Sequence, residues 1–469
     1  MENTRELVLD ILLTLEREGG FEGKLIKAVL DKYNYLEQRD RAFIKRLTEG
    51  TIERQLELDY YIDSFSNTPV GRMKPLIRCI IRMSAYQIIY MSSVPDSAAC
   101  NEACKLVQKR GFANLKGFVN AVLRNISRNK HELPLPDAGS DYPKYLSVKY
   151  SMPQWIVDKW LAEYGEEIVT RLLDALMDVR PVCLRFSTAL QPEELAGLVE
   201  DIKKQGVMLT QSSYLPYVYN AEKLDNIREL CGFSEGLFTV QDVSSALSVE
   251  SAGIKKSDFV MDICAAPGGK TLLAAEKAEA VLARDISGEK LALIDDNLER
   301  LRLTNVTTEA FDATVTDEKY IDRADVLIMD VPCSGLGVMG RKRDIKYHAA
   351  PGSIASLNEL QKKIVEQSWR YVKPGGTLIY STCTVSRAEN EDMVKWITEK
   401  LPFEPVSVEE SLPESLKKEL GILKSYIPCT PSPESGNNSI SEIEKCCVQL
   451  LPGFNLSDGF FFAKLRRLE

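Results

Sequence analysis

Residues Val326–Gly337 of this 469-residue chain read VLIMDVPCSGLG. The unbroken apolar run Val326–Met329 is typical of a strand that is buried on both faces of a parallel sheet. A carboxylate, Asp330, and a thiol, Cys333, follow it directly. Open parallel sheets bind their ligands at the carboxyl ends of the strands. The stretch therefore predicts an acid and a thiol at a ligand-binding edge.

The region 256–469 alternates short apolar runs with helical patterns, which is typical of a doubly wound α/β domain. The other predicted parallel strands are Phe259–Ile263, Ala280–Ala283, Val306–Ala310 and Gly376–Ser381. Two further strands, Cys447–Leu451 and Phe460–Leu465, are predicted to close the sheet as an antiparallel pair. Because the opening stretch lies among them, we expect the chemistry of the chain in this domain.

The rest of the chain is predicted to form two more domains, in line with the number that its length suggests. Residues 1–130 repeat apolar residues at helical spacing and predict an all-α bundle. Residues 131–143, HELPLPDAGSDYP, are rich in Pro, Gly and Asp and predict a linker. Residues 144–255 begin with helices and continue as a small α+β region.

Composition and targeting signals limit the class of protein. The chain lacks a run of about 18 apolar residues, and the acids Glu2, Glu6 and Asp10 replace the basic-then-apolar start of a signal peptide. We therefore expect a cytoplasmic protein without a membrane segment. The 11 cysteines include no Cys-x-x-Cys pair and are accompanied by 2 histidines, so we expect no metal site.

The charge of the chain is unevenly distributed. The net charge of −9 argues weakly against a nucleic-acid-binding protein. From Arg72 to Lys130, however, 11 lysines and arginines face only 2 acids, Asp96 and Glu102. A basic segment on an acidic chain predicts an RNA- or DNA-binding surface. The alternative is a solvated surface that acids elsewhere in the fold balance.

A glycine-rich turn after the first predicted strand, Cys264-Ala265-Ala266-Pro267-Gly268-Gly269-Lys270, predicts backbone contacts to a ligand. A P-loop would need glycine at position 264, where this chain has Cys264. Asp285 ends the second strand, where a carboxylate accepts both hydroxyls of a ribose, and Asp312 follows the third, within reach of an adenine amino group. These acids predict a nucleoside without a triphosphate, such as S-adenosylmethionine.

The second cysteine of interest, Cys383, follows the strand that we expect beside the opening one. Both thiols should therefore reach one pocket. A thiolate there can add to carbon 6 of a pyrimidine, which makes carbon 5 nucleophilic enough to take a methyl group before a base removes the carbon-5 proton. Asp330 would hold the N3 edge of the ring and supply a proton. These arguments leave open which of Cys333 and Cys383 is the nucleophile.

Several motifs together resemble those of the RNA cytosine-carbon-5 methyltransferases of the NOL1/NOP2/Sun group. They are Asp-Val-Pro-Cys-Ser-Gly from Asp330, Thr-Cys-Thr around Cys383, the turn Cys264–Lys270, and Val-Gln-Asp at Val240. The stretch Gly111–Asn125, GFANLKGFVNAVLRN, is similar to the end of a NusB-like RNA-binding domain. The combination resembles the RsmB (Sun, Fmu) type, which acts on 16S ribosomal RNA.

The resemblance implies a NusB-like bundle, a small α+β domain and a Rossmann-like class I methyltransferase domain. It implies that Cys383 is the nucleophile, that Cys333 assists product release, and that residues Cys264–Lys270 with Asp285, Asp312 and Asp330 bind S-adenosylmethionine. The segment 340–346 would contact the RNA backbone. We expect a monomer that acts on a single-stranded or flipped-out cytosine and not on DNA.

Two other functions remain to be tested. The first is a catalytically silent RNA-binding assembly protein, which the intact Asp330, Cys333 and Cys383 disfavour. The second is a DNA cytosine methyltransferase, for which a single catalytic thiol and no helical RNA-binding domain would be expected.

Overall fold

The computed structural model describes residues 3–18, 22–33, 35–224, 226–426 and 443–469. The chain forms two compact units. The first contains Met1–Ala162 and Arg341–His348, and the second contains Glu163–Gly340 and Ala349–Glu469. Within the described ranges, no helix has the length and apolar character needed to span a bilayer.

The first unit is helical, as predicted for residues 1–130. Its helices are α1 (Thr4–Glu18), α2 (Glu22–Lys32), α3 (Gln38–Glu53), α4 (Gln55–Phe65), α5 (Pro75–Tyr90), α6 (Asp96–Lys109), α7 (Lys116–Asn129), α8 (Tyr142–Lys149) and α9 (Gln154–Tyr164), which runs past its end. Apolar residues at helical spacing place Val8, Leu47, Ile80, Val107 and Leu123 in one fully buried core. Burial of this shared face stabilises helices that would be marginal alone.

The predicted linker, residues 131–143, lies inside the first unit. It is irregular until Tyr142, where α8 begins. Asp141 caps that helix, because its side chain accepts a hydrogen bond of 3.1 Å from the Lys144 amide. The unit continues to Ala162, so α8 and most of α9 group with the bundle, and the domain limits stay a prediction.

The second unit opens with a small α+β region, as the sequence predicts. Its elements are α10 (Glu166–Met177), β1 (Val182–Phe186), α11 (Pro192–Lys204), β2 (Met208–Gln211), β3 (Val218–Glu222), β4 (Phe238–Val240) and α12 (Val243–Ala252). The four strands form an antiparallel sheet in the order β2-β3-β1-β4. Leu184, Phe186 and Phe238 are fully buried in its core.

A larger mixed sheet carries the rest of this unit. Its elements are β5 (Phe259–Asp262), α13 (Gly269–Ala275), β6 (Ala280–Asp285), α14 (Gly288–Leu301), β7 (Val306–Ala310), β8 (Ala324–Asp330), α16 (Pro351–Ser368), β9 (Val372–Thr382), α17 (Glu391–Lys400), β10 (Phe403–Pro405), α18 (Glu414–Tyr426), β11 (Cys447–Leu450) and β12 (Phe460–Arg467). The intervening α15 (Ile345–His348) belongs to the first unit. The main strand order is β10-β12-β9-β8-β5-β6-β7, and β11 pairs with β12.

The sheet confirms the predicted arrangement of the parallel strands. Strands β7, β6, β5, β8 and β9 run parallel, and β12 pairs antiparallel with both β9 and β11. The run Val326–Met329 lies in central β8 and is buried, because sheet neighbours and covering helices surround it. Strands β8 and β9 are adjacent, with Asp330 opposite Ser381, so the loops after them start side by side.

Candidate active site

The glycine-rich turn lies between β5 and α13, where the sequence places it. Gly268 has a φ of +104°, a region that favours glycine. A Cβ atom there would also meet the Ile294 side chain at 3.0 Å. The turn therefore brings its backbone close to α14, and neither the conformation nor the space admits a larger residue.

Asp262, at the end of β5, is a site residue that the sequence reasoning missed. It is 1% exposed, and its Oδ2 accepts a hydrogen bond of 2.7 Å from Thr271 Oγ1. Its Oδ1 is buried and has no hydrogen-bond partner among the described residues. Burial, together with the neighbouring Asp330 and Asp285, raises the pKa of Asp262 to about 7. A buried, unsatisfied acceptor of this kind favours a ligand that brings a donor.

The two acids predicted to bind a nucleoside differ in their surroundings. Asp285 is buried, and its two oxygens accept hydrogen bonds from the amides of Ala266 (3.2 Å) and Ser287 (3.1 Å). Asp312 is exposed, and the hydrogen bond from the Thr314 amide lowers the pKa of its carboxyl. Each carboxylate has lone pairs left for a ligand.

Asp330 is held by two side chains at the end of β8. Its Oδ2 accepts from Lys270 Nζ at 2.6 Å, and its Oδ1 accepts from Ser381 Oγ at 3.0 Å. Lys270 is 6% exposed, so its ammonium is almost fully withdrawn from solvent. The sequence reasoning placed Lys270 only in the cofactor turn. In the structure, its Nζ forms a charge-assisted pair with the predicted catalytic acid.

The two cysteines that follow β8 and β9 lie in contact. The distance from Cys333 Sγ to Cys383 Sγ is 3.3 Å. The hydrogen bond with Cys383 and burial together raise the pKa of the Cys333 thiol well above its usual value. Cys333 therefore keeps its proton and can donate it to the neighbouring sulfur. The roles of both thiols stay a prediction.

Two family models and several full-length relatives match this chain. The model of the 16S rRNA methyltransferase RsmB/F family matches residues 252–466, and the NusB family model matches residues 2–128. A Bacillus subtilis protein named probable ribosomal RNA small subunit methyltransferase B is 32% identical over 99% of both chains. The chain belongs to the RsmB family of 16S rRNA methyltransferases.

Other relatives of this RsmB-family protein carry the same name. A Synechocystis protein with the same probable name is 30% identical over the whole of both chains. A Salmonella paratyphi C ribosomal RNA small subunit methyltransferase B is 30% identical over 91% of this chain and 90% of its own. The crystal structure of PH0851 shares the fold, with a TM-score of 0.75 at 21% identity over 99% of this chain and 98% of its own.

As a member of this family the protein is an rRNA methyltransferase that uses S-adenosylmethionine. The carboxylates of the site fit that cofactor, because Asp285 and Asp312 can accept hydrogen bonds from its hydroxyl and amino groups. The unsatisfied Oδ1 of Asp262 offers a further buried acceptor. Residues Cys264–Lys270 would line the same site through their backbone, since they form the turn between β5 and α13. The assignment of each residue to the cofactor stays a prediction.

Two cations of segment 340–346 are engaged within the protein, and the contact of this segment with RNA stays a prediction. Arg343 pairs with Glu49 (2.7 Å) and Glu53 (2.9 Å) of α3. Lys346 is 3% exposed, and its Nζ donates to the Glu53 carbonyl oxygen at 2.7 Å. These two cations are used within the first unit. The acids that pair with Arg343 lie far away in sequence, so the segment alone could not reveal them.

Acids from outside the basic stretch Arg72–Lys130 neutralise part of its positive charge in the folded protein. Several of its cations pair with acids of α1 and α4 that precede it: Arg78 with Glu16, Arg82 with Asp59, Lys109 with Glu6 and Arg110 with Asp10. Exposed cations outside these pairs include Lys116, Arg124 and Arg128, all on α7. Arg72 and Lys74 are exposed as well, so the predicted RNA-binding surface narrows to these five cations, three of them on α7.

Proposed function

We propose that this protein methylates carbon 5 of a cytosine in 16S ribosomal RNA through a covalent bond between Cys383 and carbon 6 of the ring. The observation that carries the proposal is the contact of the two sulfur atoms, at 3.3 Å, beside the Asp330–Lys270 pair. A thiol beside a second thiol and a proton-donating pair suits addition to a pyrimidine ring.

The first step is addition of the Cys383 thiolate to carbon 6. Two sulfurs in contact do not both ionise readily, because each negative charge would repel the other. The raised pKa of Cys333 keeps the proton on that residue. Cys383 then carries the thiolate, and the S–H of Cys333 stabilises it by hydrogen bonding.

The second requirement is a proton donor for the ring. Addition at carbon 6 moves negative charge onto the N3 edge, where we place Asp330. Asp330 accepts from the Lys270 ammonium at 2.6 Å, so a proton from Lys270 can offset the developing charge through that carboxylate. The low exposure of Lys270 strengthens this interaction, because water does not screen it.

S-adenosylmethionine supplies the methyl group that carbon 5 receives. The ring then carries both hydrogen and methyl on carbon 5, and loss of that hydrogen as a proton to a base restores the double bond. The bond between carbon 6 and sulfur breaks in the same step, Cys383 leaves as a thiolate, and the proton on N3 returns through Asp330 to Lys270. Cys333 assists because its S–H donates to the departing sulfur.

The substrate must present an unpaired cytosine. A base inside a duplex cannot reach a thiol at a sheet edge, and flipping it out costs about a few kcal/mol. We expect the NusB-like unit to supply affinity through phosphate contacts of exposed cations around α7. We further expect a cytoplasmic monomer that does not act on DNA.

The test uses Cys383→Ala and Cys333→Ala with labelled S-adenosylmethionine and 16S RNA, as naked RNA and as assembled subunits. Cys383→Ala should form no 5-methylcytosine, whereas Cys333→Ala should leave a covalent RNA–protein adduct on a denaturing gel. Cys231→Ala, in the small α+β region, is the control and should behave like the unchanged protein. An adduct that forms only when Cys383 is removed would reverse the roles, and label on DNA or protein would refute the proposal. Full RNA binding with no methyl transfer would instead identify a silent assembly protein.

A further inference from the structure

A short 3-10 helix, Arg387–Glu389, and the residue after it, Asn390, contact the loops that contain the two thiols. Glu389 and Asn390 are fully buried, although a carboxylate and an amide are costly to remove from water. Buried polar side chains are retained where their hydrogen bonds specify a geometry. The partners of these two residues show which geometry that is.

Glu389 fixes the loop of Cys333. Its Oε1 accepts from the Ser334 amide at 2.8 Å, and its Oε2 accepts from Ser334 Oγ at 2.6 Å. Gln361 Nε2 donates to the same carboxylate at 3.2 Å and to the Pro332 carbonyl oxygen at 2.9 Å. The residues on both sides of Cys333 are therefore held, while these bonds leave the cysteine side chain itself untouched.

Asn390 fixes the loop of Cys383 in the same way. Its Oδ1 accepts from Thr382 Oγ1 at 2.6 Å, and its Nδ2 donates to the Thr384 carbonyl oxygen at 3.1 Å. The same Nδ2 donates to Gln449 Oε1 at 2.7 Å, which anchors the amide to β11. Again the two chain neighbours of the cysteine are held.

We propose that Glu389 and Asn390 are positioning residues that act on different steps of the reaction, Glu389 through Cys333 on product release and Asn390 through Cys383 on methyl transfer. The inference rests on the proposed function, because it uses the roles of the two thiols given there. Adjacent residues thus hold the two sulfurs 3.3 Å apart. Misplacement of a reacting group by about 1 Å can cost about a hundredfold in rate. We therefore expect loss of the Glu389 hydrogen bonds and loss of the Asn390 hydrogen bonds to slow different steps.

The test uses two conservative substitutions in the full chain. Glu389→Gln keeps the shape of the side chain but replaces one of the two acceptor oxygens with an NH2 group, which cannot accept a hydrogen bond from Ser334. Thr382→Val removes the hydroxyl that donates a hydrogen bond to Asn390 and leaves the backbone intact. Glu391→Gln is the matched control, because Glu391 is a nearby acid whose electrostatic partners are Arg387, Asp392 and Glu163 and not the cysteine loops.

Three quantities are measured for each variant on 16S RNA: the methyl-transfer rate in the first turnover, the fraction of enzyme in a covalent adduct, and the thermal midpoint. Glu389→Gln should keep its first-turnover rate and accumulate adduct, with steady-state turnover about ten- to a hundredfold lower. Thr382→Val should lose first-turnover rate by a similar factor and accumulate no adduct. If Glu389→Gln fails to fold, Gln361→Met removes the hydrogen bonds to the Pro332 carbonyl oxygen and to Glu389 and should accumulate adduct in its place.

The inference is overturned if both variants lower the first-turnover rate and the adduct fraction alike, or if Glu391→Gln changes them as much. Failure of the proposed function would look different. In that case Cys333→Ala would trap no adduct in the same assay. If Cys333→Ala traps an adduct while neither Glu389→Gln nor Gln361→Met does, the assigned role of Glu389 is wrong and the proposed function stands.

Discussion

Replacement of Asp262 by asparagine should stabilise the unliganded protein relative to the unchanged protein, and this difference should grow as the pH rises. The same replacement should weaken binding of S-adenosylmethionine. The carboxyl is buried at the end of β5, and one of its oxygens has no partner within the described residues. The folded protein therefore resists ionisation of this group. Asparagine cannot ionise, so the variant lacks that pH dependence.

The magnitude follows from the raised pKa. Folding moves the pKa of Asp262 from its ordinary value of 3.8 to about 7. Above pH 4 the unfolded chain gives up the proton while the folded chain keeps it, so this group lowers stability progressively until about pH 7. Between pH 5 and pH 8 the loss is roughly 3 kcal/mol, at 1.36 kcal/mol per unit of pKa difference. The stability of Asp262→Asn relative to the unchanged protein should rise by that amount.

The assay is urea unfolding followed by circular dichroism at pH 5 and pH 8, with cofactor binding measured by calorimetry. Asp296→Asn, which changes an exposed carboxylate on α14, serves as the control and should show no such difference. Equal stability differences at the two pH values would mean that Asp262 ionises normally, and the reasoning would be refuted. Unchanged cofactor affinity would remove Asp262 from the cofactor site.

Three further predictions follow from neighbouring contacts. Lys270→Met removes the partner of Asp330, and single-turnover methyl transfer should fall by about 10²–10⁴-fold with the fold retained in circular dichroism. Gly337→Ala would place a Cβ atom 2.0 Å from a backbone carbonyl oxygen, so thermal unfolding should show a loss of about 1–3 kcal/mol or more, whereas Gly352→Ala, with open space around it, should show none. Arg343→Ala breaks two ion pairs to α3 and should lower the thermal midpoint while 16S RNA affinity in filter binding stays the same. A drop in affinity at unchanged midpoint would restore the RNA contact predicted from sequence.

The strands and the shared pocket of the two thiols were predictable because they depend on local patterns and strand order. Val326–Met329 is apolar throughout, which is typical of a central parallel strand, and β8 indeed lies inside the sheet. Residues after neighbouring parallel strands meet at one edge, so the proximity of Cys333 and Cys383 follows from the order of β8 and β9. No chemistry beyond the alternation of strand and helix was needed for that prediction.

The sequence could not reveal side chains whose surroundings are set by contacts in the folded chain. The basic neighbours of Arg343 favour an RNA contact, whereas the acids that pair with it, Glu49 and Glu53, precede it by about 290 positions. The sequence did not single out Asp262, because the predicted strand Phe259–Ile263 runs one residue past it, whereas β5 ends at Asp262. Glu389 and Asn390 precede a helix, where polar residues are common, and only their burial distinguishes them.

The inclusion of Arg341–His348 in the first unit has a consequence for biosynthesis. Proteins emerge from the ribosome with the N-terminus first, and early domains usually fold as soon as they are complete. Here the bundle of residues 1–162 lacks Arg343, Lys346 and Tyr347 until most of the chain has been made. Glu49 and Glu53 gain their partner Arg343 only when about 290 further residues have been translated. The NusB-like unit therefore reaches its final form only after the loop that contains Cys333 has left the ribosome, which ties its maturation to synthesis of the methyltransferase part.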